Sequence, residues 1–305
     1  MSIRIRTDMA SELRGEYMKE YSKTHSGEPD GIRYSEYEKN GLKVSKVSIV
    51  NENGERLIGK PVGEYYSLYT GKLWLSDFNS FKKASNELVR IISTLCDVHS
   101  PVLVAGLGNR YITADAIGPL ACSNLIVSRH IKQYERKIYD SAGLGEVSAI
   151  VPGVLAQTGI DAIQLIRSAV KETGAECVIA VDALACREVQ SLACSVQITD
   201  GGISPGSGVG NDRGEISKRT VGVKTVCIGV PTVIDARTFV RDSLENAGID
   251  RDGIEKAMNN SGCKGNTYVC SKDCDVAVDE MARLVGYAIS KAYHRSLTYE
   301  EMMYM

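Results

Sequence analysis

The chain has 305 residues, 43% of them hydrophobic, and balances 36 Lys and Arg against 38 Asp and Glu. That is enough apolar material for a single α/β domain with a sizeable core, and charge so evenly spread offers no basic footprint for direct nucleic-acid binding. No apolar run approaches the roughly 18 residues of a membrane span, and the opening MSIRIRTDMASELR lacks the core of a signal peptide, so a cytoplasmic protein without membrane insertion is expected.

In chain order, residues 1–25 are polar and partly helical in character. Residues 31–70 hold alternating runs such as LKVSKVSIV, which predict short strands joined at NENGE by a tight turn. Leu88, Ile91, Ile92 and Leu95 recur at helical spacing within 80–96. From residue 101 the runs PVLVAGL, VSAIVPG, ECVIAVDAL, SVQITDGG and KTVCIGVPTVI read as strands. Between the second and third, a helix over 159–173 is expected, opened by a Thr158–Asp161 capping box and ended by Gly174. A last helix, 273–293, aligns Val278, Met281, Ala282, Val285, Ile289 and Ala292 on one side. The polar, glycine-dotted stretch 241–268 reads as a surface excursion. Strands alternating with helices predict a mostly parallel sheet flanked by helices on both faces, with an N-terminal extension containing short strands and one domain spanning 1–305.

Two acids stand out against this frame. Asp115, in VLVAGLGNRYITADAIGP, leaves the carboxyl end of a buried strand, and Pro119 suits the first turn of the helix that follows. Asp182, in CVIAVDALACR, sits at the end of another buried strand. Ligands of open α/β sheets bind beyond the carboxyl ends of the strands, so the two acids converge if the strands are neighbours. Taken singly, Asp115 reads equally well as a helix N-cap and Asp182 as a strand-end acid bonded to a loop. As a pair, close carboxylates split their titrations, so that one draws a proton from water while the other protonates a leaving amine. That chemistry hydrolyses a peptide bond.

Rival sites fail on their residues. GLGNRYITADAIG places Tyr111 where a dinucleotide fingerprint needs its third glycine. PGSGVGNDRGEIS has no G-K-[ST], although Gly206, Ser207, Gly208, Gly210 and Asn211 offer backbone N–H groups to a substrate. In GISPG, a literal G-x-S-x-G around Ser204, the residue that should supply an oxyanion N–H is Pro205. None of the four histidines, His25, His99, His130 and His294, lies in a motif suited to a base. The nine cysteines are odd in number, and Cys263, Cys270 and Cys274 lack zinc spacing, so reduced thiols without metal or other cofactor are expected.

The motifs GLGNRYITADAIGP, AIVPGVLAQTGI, AVDALACR, DGGISPGSGVGNDRGEIS and IGVPTVIDA, in this order, resemble the spore germination protease family, with a further match at DVAVDEMARLVGYAISKAYH. Ser204 stands where the family usually carries histidine. The resemblance implies an atypical aspartic-type endopeptidase, folded like the hydrogenase maturation proteases, that degrades small acid-soluble spore proteins in the spore core. It implies a homotetramer, and Asp115 and Asp182 as its two essential aspartates. It also implies a zymogen that removes its own N-terminus. TDMASE resembles the family's substrate motif, which places the cut between Asp8 and Met9 and makes 1–8 a removable propeptide. Two alternatives stand beside this reading. One is a metal-dependent hydrolase of hydrogenase maturation type with the same aspartates as ligands; the other is a catalytically silent module that binds through the glycine-rich loop.

Overall fold

The computed structural model describes residues 6–205, 214–260 and 267–304. Its strands are β1 (Ile32–Lys39), β2 (Leu42–Ile49), β3 (Gly63–Tyr69), β4 (Val102–Gly106), β5 (Val147–Ile150), β6 (Cys177–Cys186), β7 (Ser195–Thr199), β8 (Lys224–Asp235) and β9 (Tyr268–Val269). They form one sheet in the order β1-β2-β3-β7-β8-β6-β4-β5, with β9 beside β8. The expected parallel sheet is present in one half only: β5, β4, β6 and β8 run parallel, whereas the pairs β1–β2, β2–β3, β3–β7, β7–β8 and β8–β9 are antiparallel. The connections account for the difference. Helical crossovers link β4 to β5 and β5 to β6, as parallel neighbours require, but β1 and β2 are joined by two residues and can only run antiparallel.

That turn is Asn40-Gly41, both residues at positive φ (55° and 78°), the conformation a two-residue hairpin favours. The tight turn expected at NENGE is instead a helix, Glu52–Ile58. Asn51 caps it by accepting from the Gly54 N–H at 3.0 Å. The helix expected over 159–173 is also reorganised. Gly159 is left-handed (φ +70°) and ends a short turn, Leu155–Thr158. Asp161 is then itself the N-cap of Ala162–Thr173, accepting from Ile163 N–H at 3.3 Å, and Gly174 closes that helix as expected. The excursion at 241–268 begins inside the helix Ala236–Asn246 and continues through Arg251–Asn260.

Burial follows the two-sided pattern of the strands. On one face the helices Phe78–Leu95 and Cys274–Tyr293 bring Leu88, Ile92, Val285 and Ile289 against Val104, Ile179, Val181 and Ile228. On the other, Ile166 and Val170 of the helix Ala162–Thr173 cover Leu103, Val178 and Ala180. The near-unbroken apolar run of β6 thus reflects helices on both sides. Among the described residues the cysteines are free, and no helix is long and apolar enough to cross a membrane.

Candidate active site

The loop after β4 is built by close backbone approach. Leu107 N–H donates to Val181 O of β6 at 2.8 Å. A Cβ on Gly118 would lie 2.3 Å from Leu107 N and O and 2.5 Å from Val181 O, so only glycine lets the helix Ile117–Ser123 settle onto these strand ends. Gly108 combines a positive φ of 104° with an equally tight approach: its Cβ would meet Asp115 O at 2.1 Å. Gly108 and Gly118 of GLGNRYITADAIGP therefore let the loop bearing Asp115 pack closely on itself and on β6.

Asp115 ends a short 3₁₀ turn, Thr113–Asp115, and is half-buried. It is not the N-cap of the helix that follows; that position is Ala116. Its Oδ2 accepts from Asn109 N–H at 2.8 Å, and Asn109 is held in turn by Gln157 Nε2, which donates to its Oδ1 at 2.9 Å. Thr232 Oγ1 of β8 donates to Ala114 O at 2.6 Å and ties the turn to the same end of the sheet.

Asp182 lies on β6 opposite Gly229 of β8 and is only 4% exposed. Cys177, Ile179 and Val181 enter one core cluster and Val178 and Ala180 the other, so strand alternation puts Asp182 on the second face. Cys227 is on that face too. Burial pushes its thiol pKa up, and the nearby Asp182 charge adds to the shift. Asp182 is not at the end of its strand as the sequence suggested, because β6 stays paired with β8 as far as Cys186. What adjoins it is the end of β4, opposite Val181, and the Leu107–Val181 hydrogen bond ties the start of the loop that carries Asp115 to β6 there.

Two clefts open near the two acids, lined by their neighbours Gly108 and Gly229 and not by Asp115 or Asp182 themselves. One, of about 140 Å³, covers Leu107 and Gly108 and is bounded by Asp161, Pro205 and Ile216. The other, of about 160 Å³, is lined by Leu184, Cys227 and Gly229 together with Lys60, Tyr65 and Gln197. Ser204 faces this second cleft, but the buried histidine, His294, is at the amino end of the parallel strands, bonded to Ile126 O and Gly145 N. Gly206, Ser207, Gly208, Gly210 and Asn211 lie outside the described residues, as does Cys263; Cys270 is exposed and Cys274 half-buried. Among the described residues no three His, Cys, Asp or Glu side chains gather as a metal-ligand set.

Asp8 lines the second cleft. Asp8 N–H donates to Ala185 O at 2.8 Å, and Ala185 N–H donates to Asp8 Oδ2 at 2.9 Å. Met9 is fully buried against Leu184, Cys186, Leu192 and Ile234. Glu12 anchors the stretch that follows, accepting from Arg187 N–H at 2.7 Å and Glu188 N–H at 3.1 Å; burial raises its pKa against these bonds and one from Thr7. Lys60 and Gln197 belong to no motif. Only their position in the folded chain singles them out.

Comparison with known proteins agrees with the motifs. The family model described as germination protease matches residues 8–261. The germination protease of Caldanaerobacter subterraneus subsp. tengcongensis is 35% identical over 98% of this chain and 97% of its own. That of Clostridium tetani is 31% identical over 98% of each. That of Bacillus licheniformis is 37% identical, covering 79% of this chain and 66% of its own. A match of such extent, on a chain whose Gly108 and Gly118 let the loop bearing Asp115 pack as it does, makes this protein a protease of the germination protease family.

Proposed function

We propose that the chain is a spore germination endopeptidase that cleaves small acid-soluble spore proteins, with Asp115 and Asp182 sharing the acid and base work on a water. The observation that carries this reading is that the loop after β4, which bears Asp115, is hydrogen-bonded to β6 at Val181, the residue before Asp182. One carboxylate takes a proton from the attacking water. Its neighbour gives a proton to the departing amine. Asp182 is deep in the sheet and Asp115 is nearer the surface, so the two carboxyl groups have unlike surroundings.

In the same reading, the protein is made as a zymogen that cuts itself between Asp8 and Met9, works in the spore core and assembles as a homotetramer. These features follow from the family resemblance. The support within this chain is the substrate-like TDMASE run, seated beside the end of the strand that bears Asp182.

The test is cleavage of a peptide containing TDMASE. Wild-type protein is expected to cut it after the aspartate, and Asp115→Asn or Asp182→Asn to abolish cutting while unfolding as cooperatively as wild type. Either variant cutting at the wild-type rate removes its aspartate from the mechanism.

A further inference from the structure

The contacts of Thr7–Ala10 are those of a bound peptide. The segment meets the end of β6 through the Asp8 N–H to Ala185 O bond, as an added strand meets a sheet edge. Gln197 spans the Asp8–Met9 bond: its Nε2 donates to Asp8 O at 3.1 Å, and its Oε1 accepts from Ala10 N–H at 2.7 Å. Thr7 Oγ1 accepts from Met9 N–H at 3.1 Å. The Asp8 carboxylate has the Ala185 N–H on one side and Lys60 Nζ, at 3.6 Å, on the other. The next side chain, Met9, fills an apolar hole. Each feature of an acid followed by a large apolar residue thus meets a complementary group of the fold.

Resting on the function proposed above, we propose that this cleft is the track on which protein substrates bind, with Lys60 and the Ala185 amide reading the acidic side chain before the scissile bond. Leu184, Cys186, Leu192 and Ile234 take the apolar side chain after it. Gln197 holds the backbone on both sides of the bond and is a positioning residue. Lys60 sets specificity. In the uncut chain, residues 7–10 occupy the track in place of a substrate.

The experiment compares peptides Thr-Asp-Met-Ala-Ser-Glu and Thr-Asn-Met-Ala-Ser-Glu on wild type, Lys60→Met and Lys60→Arg. Hydrogen bonds to a charged group separate such a pair by roughly 10- to 100-fold, so wild type is expected to favour the aspartyl peptide by that ratio in kcat/KM. Lys60→Met is expected to bring the ratio to within about threefold of unity, through a larger loss of kcat/KM on the aspartyl than on the asparaginyl peptide. Lys60→Arg keeps the preference. A Lys60→Met enzyme as selective as wild type, or one equally slowed on both peptides, overturns the assignment. Hydrogen exchange on the full chain gives a readout without catalysis: the Asp8 and Ala10 amides are expected to be protected in wild type and to exchange at least about tenfold faster in Lys60→Met and Gln197→Ala, respectively. If wild type cuts neither peptide, the endopeptidase reading fails and the exchange result alone decides the track: protection that responds to these variants sustains it, and unprotected amides sink it.

Discussion

Gly108→Ala tests whether the position of Asp115 is what the β4 loop is built to secure. Two costs act together. The backbone at φ +104° is strained for any side chain by about 1–3 kcal/mol. The new methyl would also sit 2.1 Å from Asp115 O, where a carbon and an oxygen ordinarily approach no closer than about 3.3 Å, so the Asp115 backbone must withdraw by roughly 1 Å. Overpacking of this kind costs about 1–3 kcal/mol. The sum, about 2–6 kcal/mol, is a large part of the roughly 5–15 kcal/mol that holds a domain folded. The protein should still fold in mild conditions, with a lowered urea midpoint. A reacting group misplaced by about 1 Å loses rate by about 100-fold, so kcat on the TDMASE peptide should fall by that factor and KM should change less. Gly222→Ala is the control: φ there is +94° but nothing lies within 4 Å of the added Cβ, so stability falls and kcat does not. If Gly108→Ala keeps kcat within about threefold of wild type despite the lost stability, the seating of Asp115 does not govern the chemistry.

Wild-type cleavage of the peptide should be unchanged by a chelator; activity lost and then restored by a divalent cation would instead make Asp115 and Asp182 metal ligands. His294 is buried, and burial lowers its pKa from the ordinary 6.5. The unfolded chain therefore takes up the proton first, so stability is fully present above about pH 6.5 and is lost as pH falls toward the folded value; in His294→Gln the urea midpoint should vary less across about pH 5–6.5, and an unaltered slope refutes this. Leu88→Ala, at a fully buried position under the sheet, should cost about 2–5 kcal/mol in urea unfolding, whereas a cost below about 1 kcal/mol would show that the helix Phe78–Leu95 is not packed as described.

Much of the parallel half could be read from local pattern. The runs around Val104, Ile179 and Ile228 are apolar on both faces because each strand has helices on either side. Asp115 follows the end of such a run, whereas Asp182 interrupts one, since β6 continues to Cys186 in register with β8 and no local signal marks that extension. The helix Cys274–Tyr293 differs from its expectation by one residue at its start. Asn40-Gly41 carried a hairpin signal between two alternating runs, stronger than that of NENGE, where Asn51 is better placed to cap a helix. The capping box assigned to Thr158 fails because Gly159 turns left-handed and passes the cap to Asp161. Lys60 and Gln197 had no local signature. Gln197 reaches Ala10 across 187 positions of sequence, and such a pairing depends on strand order, with β7 inserted between β3 and β8, which no short window of residues encodes.

The seating of Thr7–Ala10 beside Leu184 and Ala185 also sets terms for anything arriving from solution. A segment joined directly to the helix Ala10–Tyr21 never diffuses away, and a short tether of this kind is equivalent to a local ligand at a concentration on the order of millimolar. An incoming chain of equal intrinsic affinity must match that figure before it displaces the resident one. Occupancy is then governed by how often the resident strand lifts off rather than by how fast a newcomer collides, which makes the dissociation of four residues the timekeeper for access.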